Sequence, residues 1–359
     1  MASLVTILAV VLGPVGLGAQ STESPKGNPE VSSGEKWVYF DLKTGRELSS
    51  EQVASLEEKL AIDPNDVTSR TMLLGYYDGI RSIHDDSAKV AIRRHVLWLI
   101  RNSPESEVLV HPEAGIDHIR DPEGYSQARK AWMDQVKSQP QNAMVLANAE
   151  QFFAHGNRRT SIEFLKHAQS LDPSNPKWPK KLGFTYGLLA YLGSGATDQE
   201  ISEEQLEQLE TAYELSGESD RDLLLDQLAK SAFAADQLDK ARQYAELMLQ
   251  NTKAGRNYGD RVHQGNLMMG RIALRKGKIE EAKSRLIAAG MTPGSPVLRS
   301  FGPNMMLARA LLEIGEREVV LEYFELCAQF WKSHRGRLDE WGELAAAGRM
   351  PDFRANLRY

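Results

Sequence analysis

One spacing recurs through this chain and limits its fold more than any other feature. About every 34 residues, a predicted helix pair carries small residues at the same places. In residues 142–175 these are Ala149 in the first helix, Gly156 at the turn and Ala168 in the second helix, with Leu171, Asp172 and Pro173 at the exit. A second copy starts at Pro176 with Leu182, Gly183 and Tyr186; Gly193, Ser194, Gly195 and an acidic stretch over 198–214 displace its second helix. The third copy, 222–255, has Leu228, Ala229, Ala232, Leu238 and Ala241. The fourth, 263–296, has Met269, Gly270, Ala273, Gly277, Ile279, Ala282 and Ala289, and a fifth opens near Phe301 with Leu307, Ala308, Leu311, Gly315, Val320 and Phe324. A large side chain at 149, 183, 229, 270 or 308 would hold the helices of a pair apart, so the spacing predicts close crossings there. No pair of this kind buries its apolar face alone, so neighbours must stack into an all-α array.

The small residues, the turn glycines and the Leu-Asp-Pro exit make residues 142 to about 334 resemble the tetratricopeptide repeat. The motif's first-helix tryptophan is absent, with Val145, Leu225 and Asn266 near its place, and related helical repeats share the remaining signals. The resemblance implies helix-turn-helix units stacked in a right-handed solenoid, working as a scaffold that binds proteins or peptides along a concave groove of first helices. Carrying the groove-facing spacing onto this sequence gives Lys177, Lys180, Phe184, Lys230, Phe233, Arg271, Arg275, Met305 and Arg309, with Glu150 and Asp226 opposing the positive trend. Such a set suits a partner with acidic segments, with Phe184, Phe233 and Met305 as apolar contacts. The carboxylate-clamp pattern of chaperone-binding relatives is not matched, because Ala147, Gln227 and Met268 stand where polar or basic residues are wanted. The stretch 294–304 is similar to that of exported bacterial repeat proteins and implies no activity.

The flanks read differently. Residues 1–19 hold an uncharged apolar run, 4–17, followed by Gly18 and Ala19, the pattern of a secretory signal cleaved near Ala19. The alternative, an uncleaved anchor, wants ~20 apolar residues, and Gly13, Pro14 and Gly16 interrupt this run. The expected location is therefore periplasmic or extracellular, with no membrane insertion after cleavage. Residues 20–48 read as a linker closing on a short extended, β-prone aromatic run over 36–42 and a turn at Thr44-Gly45. Residues 49–138 read as an irregular helical region opened by a Ser49/Gln52 capping box. The array occupies 139–334, and 335–359, with Trp341, Pro351 and Phe353, closes its last pair.

Chemistry is sparse. A net charge of −6 does not suit a nucleic-acid-binding polycation. Cys327 is the only cysteine, so no internal disulfide forms, and its setting between Phe324 and Phe330 reads as packing. Motifs for phosphate, dinucleotide, serine-nucleophile or zinc-protease chemistry are absent, and no enzyme, cofactor or metal is expected. Two alternatives to peptide binding stay open. One is a small ligand or glycan stacked on Phe152, Phe153, Phe184 and Tyr186. The other is a metal-dependent enzyme built on His111, Asp117 and His118, with His84, Asp85 and Asp86 as a second acidic-histidine cluster. His263, Asn266 and Arg271 form the most polar grouping of the array, read as capping and inter-repeat hydrogen bonding.

Overall fold

The computed structural model describes residues 33–78, 86–154, 156–192, 198–250 and 257–357. The expected signal over 1–19, most of the linker, His84, Asp85 and the break at 193–195 lie outside these residues. Those described form seventeen α-helices and no strand.

The N-terminal third holds α1 (Ser33–Arg46), α2 (Ser50–Ile62), α3 (Val67–Tyr77), α4 (Asp86–Asn102) and α5 (Pro122–Ser138), with two short 3₁₀ turns, Glu107–Val110 and Pro112–Ala114, between the last two. The aromatic run over 36–42, expected to be extended, is helical. Its β-forming residues are overruled by a helical contact face. Partly buried Val38, buried Leu42 and buried Gly45 fall at i, i+4 and i+7 against α3, while Trp37, Tyr39 and Phe40 stay exposed. Gly45, expected to mark a turn, instead gives α3 room to touch the α1 backbone. The capping box at the start of α2 is complete: Gln52 N donates to Ser49 Oγ (3.3 Å) and Ser49 N donates to Gln52 Oε1 (2.8 Å).

From residue 143 the chain runs as stacked pairs. These are α6 (Ala143–Phe153) with α7 (Arg158–Leu171), α8 (Lys177–Leu192) with α9 (Asp198–Leu215), α10 (Glu218–Ala234) with α11 (Leu238–Gln250), and α12 (Tyr258–Arg275) with α13 (Ile279–Gly290). A short α14 (Pro296–Phe301) leads into the fifth pair, α15 (Met306–Glu313) with α16 (Arg317–Phe330), and α17 (Arg337–Ala346) follows. The two helices of every pair pack on each other and each pair packs on the next, with first helices in contact at α10–α12 and α12–α15, as in a helical-repeat solenoid. The first pair is tied to the N-terminal region by buried Asn148, whose Nδ2 donates to the carbonyls of Pro104 (2.8 Å) and Ser106 (3.2 Å).

The small residues sit where the spacing placed them. Ala149, Ala229 and Ala308 are buried, a methyl group on Gly183 would press on Leu209 of α9, and one on Gly270 would press on Leu307 of α15 and Arg285 of α13. Three pairs turn through a left-handed residue in one register: Asp236 (φ 58°), Gly277 (φ 72°) and Gly315 (φ 90°). In the second pair that place belongs to Ala190, which disfavours the left-handed region. Helix α8 therefore does not stop there but continues to Leu192, and α9 starts correspondingly late.

At the far end Phe324, Trp341 and Phe353 pack edge to face or tilted, with ring centres 5.0–6.2 Å apart, and Trp331 is fully buried beside them. The tail returns over the fifth pair. Met305 N donates to Asn356 O (2.8 Å), and Asn356 Nδ2 donates to Pro303 O (2.8 Å) and Phe301 O (3.3 Å). Among the described residues no helix is long and apolar enough to cross a membrane.

Candidate functional site

Helix α8 carries an exposed apolar stripe that its extra turn lengthens. Phe184, Leu188 and Tyr191 follow one another at i, i+4 and i+7 on that helix and are 44%, 43% and 55% exposed. They form one wall of a cavity of about 410 Å³ between α8 and α10. Gln227, Lys230, Ser231 and Ala234 of α10 form the opposite wall, and Ser202 and Gln205 of α9 reach it from below. Gly187 makes this possible, because a methyl group there would stand 2.6 Å from Gln205 Nε2. An apolar wall facing polar groups is a make-up common to binding cavities.

Three of the six positive residues expected in the groove are paired with carboxylates. Lys230 pairs with Asp226 (2.8 Å) on its own helix, and Arg309 with Glu313 (2.9 Å). Arg275 reaches back to Asp236 (3.0 Å). Glu150, expected to oppose the positive trend, is buried and accepts from Lys181 of α8 and from Ser161 Oγ (2.9 Å) of α7. Lys177 lies over the Trp178 ring at 5.1 Å, and Lys180 sits half-buried one turn ahead of Phe184. Met305 is not in the groove. It is fully buried, because the returning tail at Asn356 closes over the start of α15.

Arg271 differs from the other groove cations. Its guanidinium lies 4.2 Å from the centre of the half-buried Phe233 ring, with Arg275 on the same ring at 5.9 Å. Among the described residues it meets no carboxylate. Burial first, and repulsion from Arg275 second, bring its pKa down to about 10. Phe184, Lys230 and Arg271 each directly follow the small residue of their helix (Gly183, Ala229, Gly270), so they form one row across α8, α10 and α12.

The other candidates do not assemble into sites. His263 is wholly buried; its Nε2 accepts from Asn304 N (3.3 Å), which leaves Nδ1–H to donate to Ala289 O (3.0 Å). Asn266 Oδ1 accepts from Arg285 Nη1 (3.1 Å), and Arg271 points to Phe233, so the three polar residues diverge into inter-helix contacts. Asp117 Oδ1 accepts from the backbone of Ile119 (2.8 Å) and Arg120 (2.9 Å), and the His118 ring packs near Tyr125 (5.8 Å). Among the described residues no three His, Cys, Asp or Glu side chains come together as metal ligands do. Cys327 is fully buried, and burial pushes its thiol well above the ordinary range.

One polar cluster had no counterpart in the sequence reading. Glu57 Oε1 accepts from Tyr77 Oη (3.1 Å), His95 Nε2 (3.1 Å) and Arg94, while His95 Nδ1 faces Arg70 Nη1 (3.3 Å). Arg70 in turn donates to Pro64 O (2.8 Å) and covers the Trp98 ring at 3.8 Å. The cluster joins α2, α3 and α4 as a network, and its trace in the sequence is His95 beside Arg94 on an otherwise largely apolar helix stretch, 91–100.

Neither models of known protein families nor curated proteins give a match to this chain.

Proposed function

We propose that this chain is a non-enzymatic, tetratricopeptide-like binding scaffold that holds a segment of another protein across α8, α10 and α12. The observation that carries the reading is the exposed Phe184–Leu188–Tyr191 stripe bordering a cavity of about 410 Å³. Folded chains seldom leave three large apolar side chains contiguous on a concave face without a use for them. Phe184 and Leu188 stand at ordinary first-helix places, where the next pair has Lys230 and Ala234, and the extra turn of α8 adds Tyr191, so the stripe is specific to the second pair. The apolar run over 4–17 supports an exported site of action, and N-terminal sequencing of the mature chain should then begin near Gln20.

The test is retention of partners on the immobilised chain compared with Leu188→Glu and Tyr191→Ala. Polypeptides held by the native chain and lost from both variants are the expected result. Equal retention by all three would overturn the reading. The cavity volume also falls in the range that holds small molecules. A low-molecular-weight compound released from the native chain, and absent from Leu188→Glu, would favour a small ligand or glycan instead.

A further inference from the structure

Resting on that reading, we propose that Arg271 is the anchor for a carboxylate of the bound segment. The groove then selects an apolar side chain in the α8–α10 cavity together with an acidic group further along the row, over α12. Three observations converge. Lys230, Arg275 and Arg309 already have carboxylate partners, whereas Arg271 among the described residues has none. The Phe233 ring lies 4.2 Å from the guanidinium carbon, and a guanidinium covered on its face by a ring binds a planar carboxylate through its N–H edge. Arg271 also continues the row that begins at Phe184 beside the cavity and passes through Lys230.

The spacing sets the register of the ligand. Neighbouring helices lie about 8–10 Å apart. An extended chain covers about 3.3 Å per residue. One such step to α12, plus up to half a step within the α8–α10 cavity, spans about 8–15 Å, or about three to five ligand residues. A multiply charged phosphate polymer fits poorly, because the neighbouring cations are internally paired and the chain carries a net charge of −6. The depressed pKa of Arg271 agrees with a cation held partly out of water without a counter-charge.

Two random dodecapeptide libraries, one displaying internal segments and one displaying free C-termini, would be panned against the full chain. The expected internal consensus is Phe, Tyr or Leu followed or preceded, at three to five residues, by Asp or Glu. Selection from the free-terminus library alone would identify the C-terminal carboxylate as the group held. A consensus peptide should bind Arg271→Gln about tenfold more weakly, as loss of a charge-assisted pair implies. Arg271→Lys should retain part of the affinity, and an Asp→Lys peptide should recover binding on Arg271→Glu. An apolar consensus without acidic residues, bound equally by Arg271→Gln, overturns the anchor and leaves the cavity reading intact. Absence of any consensus from both libraries overturns the cavity reading itself, and the anchor with it. Urea melts of each variant identify one that fails to fold, in which case the Arg271→Lys and charge-exchange pairs decide.

Discussion

Gly75 of α3 rests directly on the backbone of Leu42 in α1, so that a methyl group at residue 75 would run into the Leu42 carbonyl. The contact is reciprocal, because a methyl group on Gly45 of α1 would run into the Met72 carbonyl of α3. Backbone cannot swing aside as a side-chain tip can. Gly45→Ala and Gly75→Ala should each lower unfolding free energy by about 1–3 kcal/mol, the usual cost of overpacking. Gly342→Ala is the control: it lies within α17 with nothing within 4 Å of the added carbon, and helix propensity alone should stabilise it by about 0.5–1 kcal/mol. Urea midpoints of the three variants check this; native-like midpoints for the first two would refute the α1–α3 contact.

His263 makes stability depend on pH. Burial brings its pKa to about 4 from an ordinary 6.5, so the unfolded chain takes up a proton that the folded chain refuses. Its contribution is complete above about pH 6.5 and is lost as pH falls toward 4, by about 2 kcal/mol at pH 5. His95, lowered chiefly by burial, acts in the same direction. Burial alone would raise the Glu57 carboxyl, but the hydrogen bond and charge from His95 and the charge of Arg94 outweigh it and hold the pKa low, so its contribution is lost only in stronger acid. Urea unfolding at pH 7 and pH 5 should show the loss, and His263→Asn should be weaker at pH 7 yet lose less on acidification. An equal loss in both proteins would remove His263 as the cause.

Cys327 should be inert in the folded chain. Its sulfur is buried and burial disfavours the thiolate, the only form that attacks a thiol reagent. Incubation with a disulfide reagent at mildly alkaline pH should give no native labelling and one equivalent after urea unfolding. Prompt native labelling would contradict the packing of α16.

What the sequence made legible was local, and what it hid depended on distant contacts. The Ser49/Gln52 cap acts within one helix, and the small residues at 149, 183, 229, 270 and 308 are buried or closely approached where the pattern put them, Gly270 meeting the next pair at Leu307 as well as its own α13. The 36–42 run misled because its aromatic residues favour strands, while its helix is decided by Gly75, far along the chain. Met305 misled for the same reason, since the tail that covers it lies some fifty residues later. The groove looked basic because cations were read without their partners. The Lys230–Asp226 and Arg309–Glu313 pairs are at i, i+4 and were readable, but Arg275–Asp236 and Lys181–Glu150 join different pairs and needed the stacking. Part of the cavity lining, Ala190 and Tyr191, comes from a departure at a turn position, which a search for agreement with a repeat passes over.

The tail should be a structural part of the fifth pair. Asn356 is 1% exposed, and its side chain donates to Phe301 O and Pro303 O while its carbonyl receives Met305 N. Asn356→Ala removes both side-chain hydrogen bonds and should cost about 1–3 kcal/mol. The loss should be local at first, because the side chain pins the tail over Met305 and leaves the α8–α10 cavity untouched. Hydrogen exchange measured by mass spectrometry should therefore quicken in peptides covering 300–312 and 350–357 and stay unchanged over 177–192. Faster exchange throughout the array would show instead that the pairs unfold as one unit, and native rates at 300–312 would show that Met305 is covered without this contact.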